Sequence, residues 1–209
     1  MSYIIGLTGG IATGKSNLSS ALRAAGAPVV DADRISHGLT VPGGAALERI
    51  REAFGGEYVK DGVLDRKALG ELVFNNPEAL KTLNGITHPL IFEEMDRQIA
   101  EADRKGAPVV VLDVPLLYET GLDTRCDEVW CAWIPKKVQL ERLMARDGLS
   151  RKEAQARVSS QMSAWEKRRR ADRYIDTRGT LEESGEAVVR MYEELLRRLI
   201  KERNDAQNS

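Results

Sequence analysis

The chain is poor in the residues that build several common kinds of site. It has two cysteines, Cys126 and Cys131, close together and without a second pair. That count leaves neither a cysteine zinc site nor a disulfide framework, and both thiols are expected to pack in a reducing cytoplasm. No apolar run approaches the roughly 20 residues that a membrane-spanning helix needs. The opening MSYIIGLTGG has no basic segment ahead of its apolar residues, so no signal peptide is expected. Neither sign of charge is in excess: 31 Lys and Arg against 32 Asp and Glu leave a net charge of -1. A protein that binds a nucleic-acid backbone usually carries a basic surplus, so that class is disfavoured. Aromatics make up only 5% of the chain, and they are sparse around the single basic run, KRRRADR at 167–173, most of which reads as a solvated face.

What remains is a soluble, globular balance, 42% hydrophobic and 30% charged over 209 residues, enough for one medium domain with appendages. Short apolar, β-rich runs occur at Tyr3–Leu7, Pro28–Val30, Pro108–Pro115, Glu128–Ile134 and Tyr174–Thr177. Helical spacing separates them: Leu18, Ala21, Leu22 and Ala25 share one face before Gly26. Fully apolar strands alternating with helices predict a parallel sheet covered on both faces. Thr180 with Glu183 forms a capping box for a final helix lined by Val188, Tyr192, Leu195 and Leu199, after which the polar tail KERNDAQNS is expected to fray. Two segments do not fit this alternation. Ser36–Lys105 is long, mostly helical and punctuated by Pro42-Gly43-Gly44, Asp61-Gly62 and Asn75-Asn76-Pro77, which predicts a helical subdomain. Gly148–Arg173 starts with a second capping box, Ser150 and Glu153, and is dense in Arg and Lys.

GGIATGKS, Gly9 to Ser16, fits G-x-x-x-x-G-K-[ST] between an apolar strand and an amphipathic helix. Glycines let such a loop curl so that successive N–H groups point at phosphate oxygens, and the helix that follows adds its positive end. Lys15 is placed for the β- and γ-phosphates and the Ser16 hydroxyl for Mg²⁺. Nucleoside triphosphate binding follows. An N-K-x-D guanine motif is missing, which leaves mainly small-molecule kinases.

The second strand runs into VVDAD, where Asp31 and Asp33 lie two apart and would share a strand face; Asp113 ends the third strand. In open α/β sheets ligands lie beyond the carboxyl ends of the strands, where a carboxylate can aim an acceptor hydroxyl at the γ-phosphate. Capping of the next helix by either aspartate is the structural alternative.

Four blocks in order, LTGGIATGKS (Leu7–Ser16), VVDAD (Val29–Asp33), THPL (Thr87–Leu90) and DVPLLYE (Asp113–Glu119), resemble the dephospho-CoA kinase family, and the resemblance runs over roughly Tyr3 to Leu199. It implies a P-loop NTPase-type three-layer α/β/α fold with a five-stranded parallel sheet, a helical substrate-binding subdomain and a lid. The core would be 1–35, 106–147 and 173–202, the CoA-binding subdomain 36–105 and the lid 148–172. The activity implied is phosphorylation of the ribose 3′-hydroxyl of dephospho-CoA by ATP with Mg²⁺, in the cytoplasm, by a monomer or weak homo-oligomer with no nucleic-acid or membrane partner.

Carried over by position, Asp33 is the general base and Asp31 is structural or part of the metal shell. Lys15 acts on the transferring phosphate, and a closing lid that delivers arginine to the phosphates makes Arg157, and next Arg142, the candidates there. Arg142 and Arg146 lie four apart, as do Arg157 and Gln161, and each pair would share a helix face. Gly10, Ile11, Ala12, Thr13, Gly14, Lys15, Ser16, Asn17 and Arg146 are assigned to the nucleotide, with Asn17 standing where the family usually has Thr. Thr8, Asp33, Arg66, His88, Leu116 and Leu117 are assigned to the acceptor. Pro89 favours a first helical position, which would put His88 at an N-cap. Core packing of the leucines and a surface ion pair at Arg66 are the plain alternatives. Trp165 is expected to pack beneath the lid, with stacking on a nucleotide base as the alternative. A nucleoside or nucleotide monophosphate kinase, or an ATP-switched binding protein, would also use the phosphate loop.

Overall fold

A computed structural model describes residues 1–207. It divides into two compact units, Met1–Val30 with Ala102 onward, and Asp31–Glu101.

The first unit holds a five-stranded sheet. Its strands are β1 (Tyr3–Gly9), β2 (Val29–Asp31, whose last residue belongs to the second unit), β5 (Val109–Asp113), β6 (Glu128–Trp133) and β7 (Arg173–Asp176), in the order β2-β5-β1-β6-β7. The β1–β5, β1–β6 and β6–β7 pairs are parallel. The five apolar runs are these strands, with ends shifted by one or two residues. Every residue of β5 is buried, as expected of a strand covered on both faces. On one face Ile5, Leu7, Val109, Val111, Trp130 and Ala132 pack with Leu18 and Leu22 of α1 (Lys15–Ala24) and with Val188, Tyr192 and Leu195 of α9 (Leu181–Gln207). The Thr180–Glu183 capping box forms: the Thr180 N–H donates to Glu183 Oε2 at 2.8 Å and the Glu183 N–H to Thr180 Oγ1 at 3.1 Å. The tail does not fray where expected. α9 runs on through Lys201 to Gln207, and the last part of the fraying segment, 208–209, lies outside the described residues.

After β6 come α6 (Lys136–Asp147), α7 (Arg151–Ser159) and α8 (Ala164–Arg170). Ser150 and Glu153 make the expected capping box of α7. α6 and α7 close over their own apolar cluster of Leu140, Leu143, Ala154 and Val158, against which Ile11 and Ala12 also pack.

The second unit is helical, with α2 (Ala32–Leu39), α3 (Leu47–Phe54), α4 (Arg66–Asn75) and most of α5 (Pro77–Arg104) around Ala46, Leu47, Ile50, Val59, Leu64 and Leu69. It also contains an antiparallel hairpin not read from the sequence, β3 (Val59–Lys60) with β4 (Val63–Leu64). Asp61 and Gly62 turn it with φ of 50° and 74°, the positive values a tight hairpin turn demands. α5 passes through Pro89 without a break, so His88 lies mid-helix and not at an N-cap. A proline inside a helix costs about 3 kcal/mol, and here tertiary burial on α5, with Met95 fully inside, overrides that local signal.

No described helix is long and apolar enough to cross a membrane. Burial pushes the Cys126 and Cys131 thiols up to about 12, so both stay protonated and unreactive.

Candidate active site

Parallel pairing brings the carboxyl ends of β1, β5, β6 and β7 to one edge of the sheet. The phosphate loop leaves β1 there. Gly14 takes φ of 84°, a left-handed value that suits glycine, and α1 starts at the next residue, so the helix's positive end opens onto the loop. Thr13 is buried and its hydroxyl donates to the Gly10 carbonyl at 2.8 Å, which tightens the curl; only its backbone is left to meet a phosphate. The Thr177 hydroxyl, just past β7, donates to the Thr13 carbonyl at 2.5 Å. Ser16 is exposed in the first turn of α1.

Lys15 pairs with Asp113 at the end of β5. Asp113 is 4% exposed in its side chain and Lys15 13%, so the pair is largely withdrawn from water. The partnership of Asp113 with Lys15 depends on β5 lying beside β1.

Several expected contacts are placed otherwise. Thr8 is fully buried and donates to the Pro115 carbonyl at 3.1 Å, because β1 extends to Gly9 and keeps residue 8 within the sheet. Leu117 is fully buried and Leu116 is 39% exposed, so the two leucines divide between core and surface. The Asn17 amide donates to the Leu181 carbonyl at 2.7 Å and to Ser184 Oγ at 3.2 Å, which turns its side chain toward α9. Arg142 donates to the carbonyls of Thr177 at 2.7 Å and Arg178 at 3.4 Å. Arg146 and Arg157 meet at one carboxylate, Asp147, at 2.7 and 3.1 Å. Gln161 does not share a face of α7 with Arg157, since that helix stops at Ser159. Trp165 is 61% exposed, so the buried packing expected of it is not found.

The two aspartates of VVDAD separate. β2 ends at Asp31, which caps α2 by accepting the Arg34 N–H at 3.0 Å. Asp33 therefore sits in the first turn of that helix, exposed, and does not share a strand face with Asp31. In the helical unit Arg66 and His88 line one cavity of about 270 Å³ with Ser36, Thr40 and Thr87. Arg66 donates there to Thr40 Oγ1 at 2.6 Å and to the His37 carbonyl at 3.2 Å.

Residues 3–183 match the family described as dephospho-CoA kinase. The chain belongs to the dephospho-CoA kinase family. A dephospho-CoA kinase of Symbiobacterium thermophilum is 53% identical over 180 residues, 86% of this chain and 75% of the relative. That of Carboxydothermus hydrogenoformans is 44% identical over 187 residues, 89% and 91% of the two chains. Among solved structures, a dephospho-CoA kinase from Campylobacter jejuni superposes with a TM-score of 0.70 at 32% identity, covering 93% of this chain and 98% of that one. A Thermus thermophilus protein superposes with a TM-score of 0.79 at 37% identity over the same shares. The chain is a kinase with the P-loop kinase fold.

The basic run 167–173 is a solvated face only in part: Arg169, Arg170 and Asp172 are exposed, as expected, but Lys167 and Arg168 are not. Lys167 is fully buried, and its ammonium donates to the Pro115 carbonyl at 2.5 Å and pairs with Glu119 at 2.9 Å. Burial pushes its pKa down, against the pull of Glu119. Arg168 stacks over Trp133 at 4.2 Å and Tyr174 at 3.9 Å, and Arg170 over Tyr118 at 4.3 Å. A period of four from Lys167 would not have found this. The signal was the apolar Ala164 three residues earlier, on the same buried side of α8.

Proposed function

We propose that the chain transfers the γ-phosphate of ATP to the ribose 3′-hydroxyl of dephospho-CoA, giving CoA and ADP. The family match through residues 3–183, with a complete phosphate loop at Gly9–Ser16, carries this reading. The acceptor oxygen bonds to the γ-phosphorus as the bond to the β–γ bridging oxygen breaks, and the hydroxyl proton passes to Asp33. Transfer is loose, so Asp33 serves mainly to aim the hydroxyl, while cations neutralise charge on the phosphoryl oxygens.

The loop N–H groups and Lys15 hold the β- and γ-phosphates. Mg²⁺ takes hard oxygen donors and few protein groups when phosphates supply the rest, and the exposed Ser16 hydroxyl in the first turn of α1 fits that donor set. Bound there, the ion would offset phosphate charge. Arg142, Arg146 and Arg157 are the arginines assigned to the nucleotide; each now holds a carbonyl or Asp147 and would exchange that partner for phosphate. The cavity of Arg66 and His88 is the acceptor subsite, with Arg66 for an acceptor phosphate. The helical residues 36–105 are the acceptor-binding subdomain and 148–172 the lid. Leu116, half-exposed after β5, is the leucine left for acceptor contact.

The test is ADP release with Mg-ATP and a panel of acceptors: dephospho-CoA, AMP, CMP, UMP, adenosine and none. Release with dephospho-CoA alone, with CoA formed, is expected. Release with a monophosphate would overturn the substrate, and ATP binding without acceptor-dependent release would overturn the enzyme.

A further inference from the structure

The crest of the phosphate loop is held from outside. Ile11 gives both backbone groups to side chains far along the chain: its N–H donates to Gln161 Oε1 at 3.1 Å, and its carbonyl accepts from Gln139 Nε2 at 2.8 Å. The Ile11 and Ala12 side chains pack on the apolar cluster of α6 and α7. Ala12 itself takes φ of 60°, a left-handed value disfavoured for an L-residue. Such a conformation persists only where its surroundings over-determine it.

Gln139 is a fixed part of this grip, 2% exposed on α6. Gln161 lies on the link between α7 and α8, and its aim is set on either side. The next residue, Met162, donates its N–H to Glu119 Oε1 at 2.9 Å, and the same carboxylate is pinned by the buried ammonium of Lys167. Ser163 then caps α8, accepting the Glu166 N–H at 3.1 Å. Glu119 follows β5, so the link that carries Gln161 is tied to the strand whose end holds Lys15 through Asp113.

We infer that Gln161 is a positioning residue for the phosphate loop: it holds the crest at Ile11 so that the N–H groups after it face the nucleotide's phosphates. Glu119 and Lys167 form the lashing that keeps it there. Gln161 touches the loop backbone and not the reacting atoms, so its loss falls on nucleotide affinity and not on the acceptor. This rests on the reading of Gly9–Ser16 as the ATP phosphate site.

The test is ATP binding by calorimetry, together with steady-state kinetics, for the wild-type chain and for Gln161→Ala. Gln161 is only partly buried and lies on the link between α7 and α8, and the melting temperature of the variant checks its folding. Losing that neutral hydrogen bond loosens the strained crest, so Kd and KM for ATP are expected to rise about fivefold. KM for the acceptor and the melting temperature are expected to stay near wild type. Gln161→Glu keeps an acceptor oxygen at the same reach and should recover the loop's order, seen as amide protection at Ile11, while its charge opposes the phosphates. Unchanged ATP affinity in Gln161→Ala would overturn the inference. So would an equal loss for both substrates with a lowered melting temperature, the mark of a purely structural role. A wild-type chain that does not bind ATP would overturn the phosphate-site reading itself.

Discussion

Lys15 at the start of α1 and Asp113 at the end of β5, 98 residues apart, form an ion pair at the carboxyl edge of the sheet. β1 lies beside β5 with Leu7 opposite Asp113, so the strand register sets the carboxylate beside the loop that β1 feeds. The carboxylate is the counter-charge that makes a nearly buried ammonium tolerable.

Asp113→Asn removes that counter-charge. Breaking a buried pair on one side costs about 3 kcal/mol, so the variant is expected to unfold at lower urea than wild type. Saturating ATP should restore part of the difference, since its phosphates offer Lys15 another partner. Equal stabilisation of both proteins by ATP would count against that exchange. Lys15→Ala should lower turnover on the order of 100-fold, the loss typical of a donor to transition-state charge.

Asp33→Asn keeps the size of the side chain and its place in the first turn of α2. General-base aid is worth about 100- to 10,000-fold, so kcat should fall in that range while calorimetric ATP affinity holds. Near-normal turnover would remove Asp33 from the base role.

Arg66→Ala should act on the acceptor alone. A charge-assisted hydrogen bond contributes about 1.5 kcal/mol or more, which predicts a rise in KM for dephospho-CoA of about tenfold with KM for ATP unchanged. A matched rise in both would assign Arg66 to folding of the helical unit, where it already holds Thr40 and His37.

Glu128 carries a pH dependence at the opposite end of β6. Its carboxyl is 8% exposed and meets Trp130 Nε1 at 2.8 Å, Arg173 at 2.6 Å and Arg198 at 3.1 Å. Burial pushes its pKa up, but the indole hydrogen bond and the two guanidinium groups outweigh this and hold it below the usual 4.5. The folded chain therefore binds this proton less readily than the unfolded one. The stabilisation is fully present above pH 4.5 and is lost as the pH falls through the lowered folded value. Glu128→Gln should cost about 2 kcal/mol at neutral pH, and its gap to wild type in urea melts should close as the pH drops below that range. A gap independent of pH would show that the charge contributes nothing.

Much of the framework was legible locally. The alternation of apolar strands and amphipathic helices, the phosphate loop with its glycines, and both capping boxes depend on residues within one or two turns of each other. The same locality explains the errors. Pro89 reads as a helix start, yet α5 runs through it because its buried side outweighs a local preference. VVDAD reads as one strand end bearing two acids, but the chain turns into α2 between them and makes Asp31 a cap. KRRRADR reads as a solvated face because charge is all that the run displays. Lys167 becomes a core residue only because Glu119 and the Pro115 carbonyl await it, about fifty positions earlier in the chain.

A triphosphate-binding loop between a buried strand and a helix, and four motif blocks that name a kinase family, can be read along the chain, because such signatures need only fixed spacing. Which side chains serve that loop depends on the folded arrangement. Asp113 holds Lys15, Thr177 bonds the Thr13 carbonyl from 164 residues away, and Gln161 reaches Ile11 across 150. Those partnerships exist because the order β2-β5-β1-β6-β7 sets β1 between strands that follow it by a hundred residues or more. No local pattern encodes that order; it arises when burial on both sheet faces and parallel pairing are satisfied together.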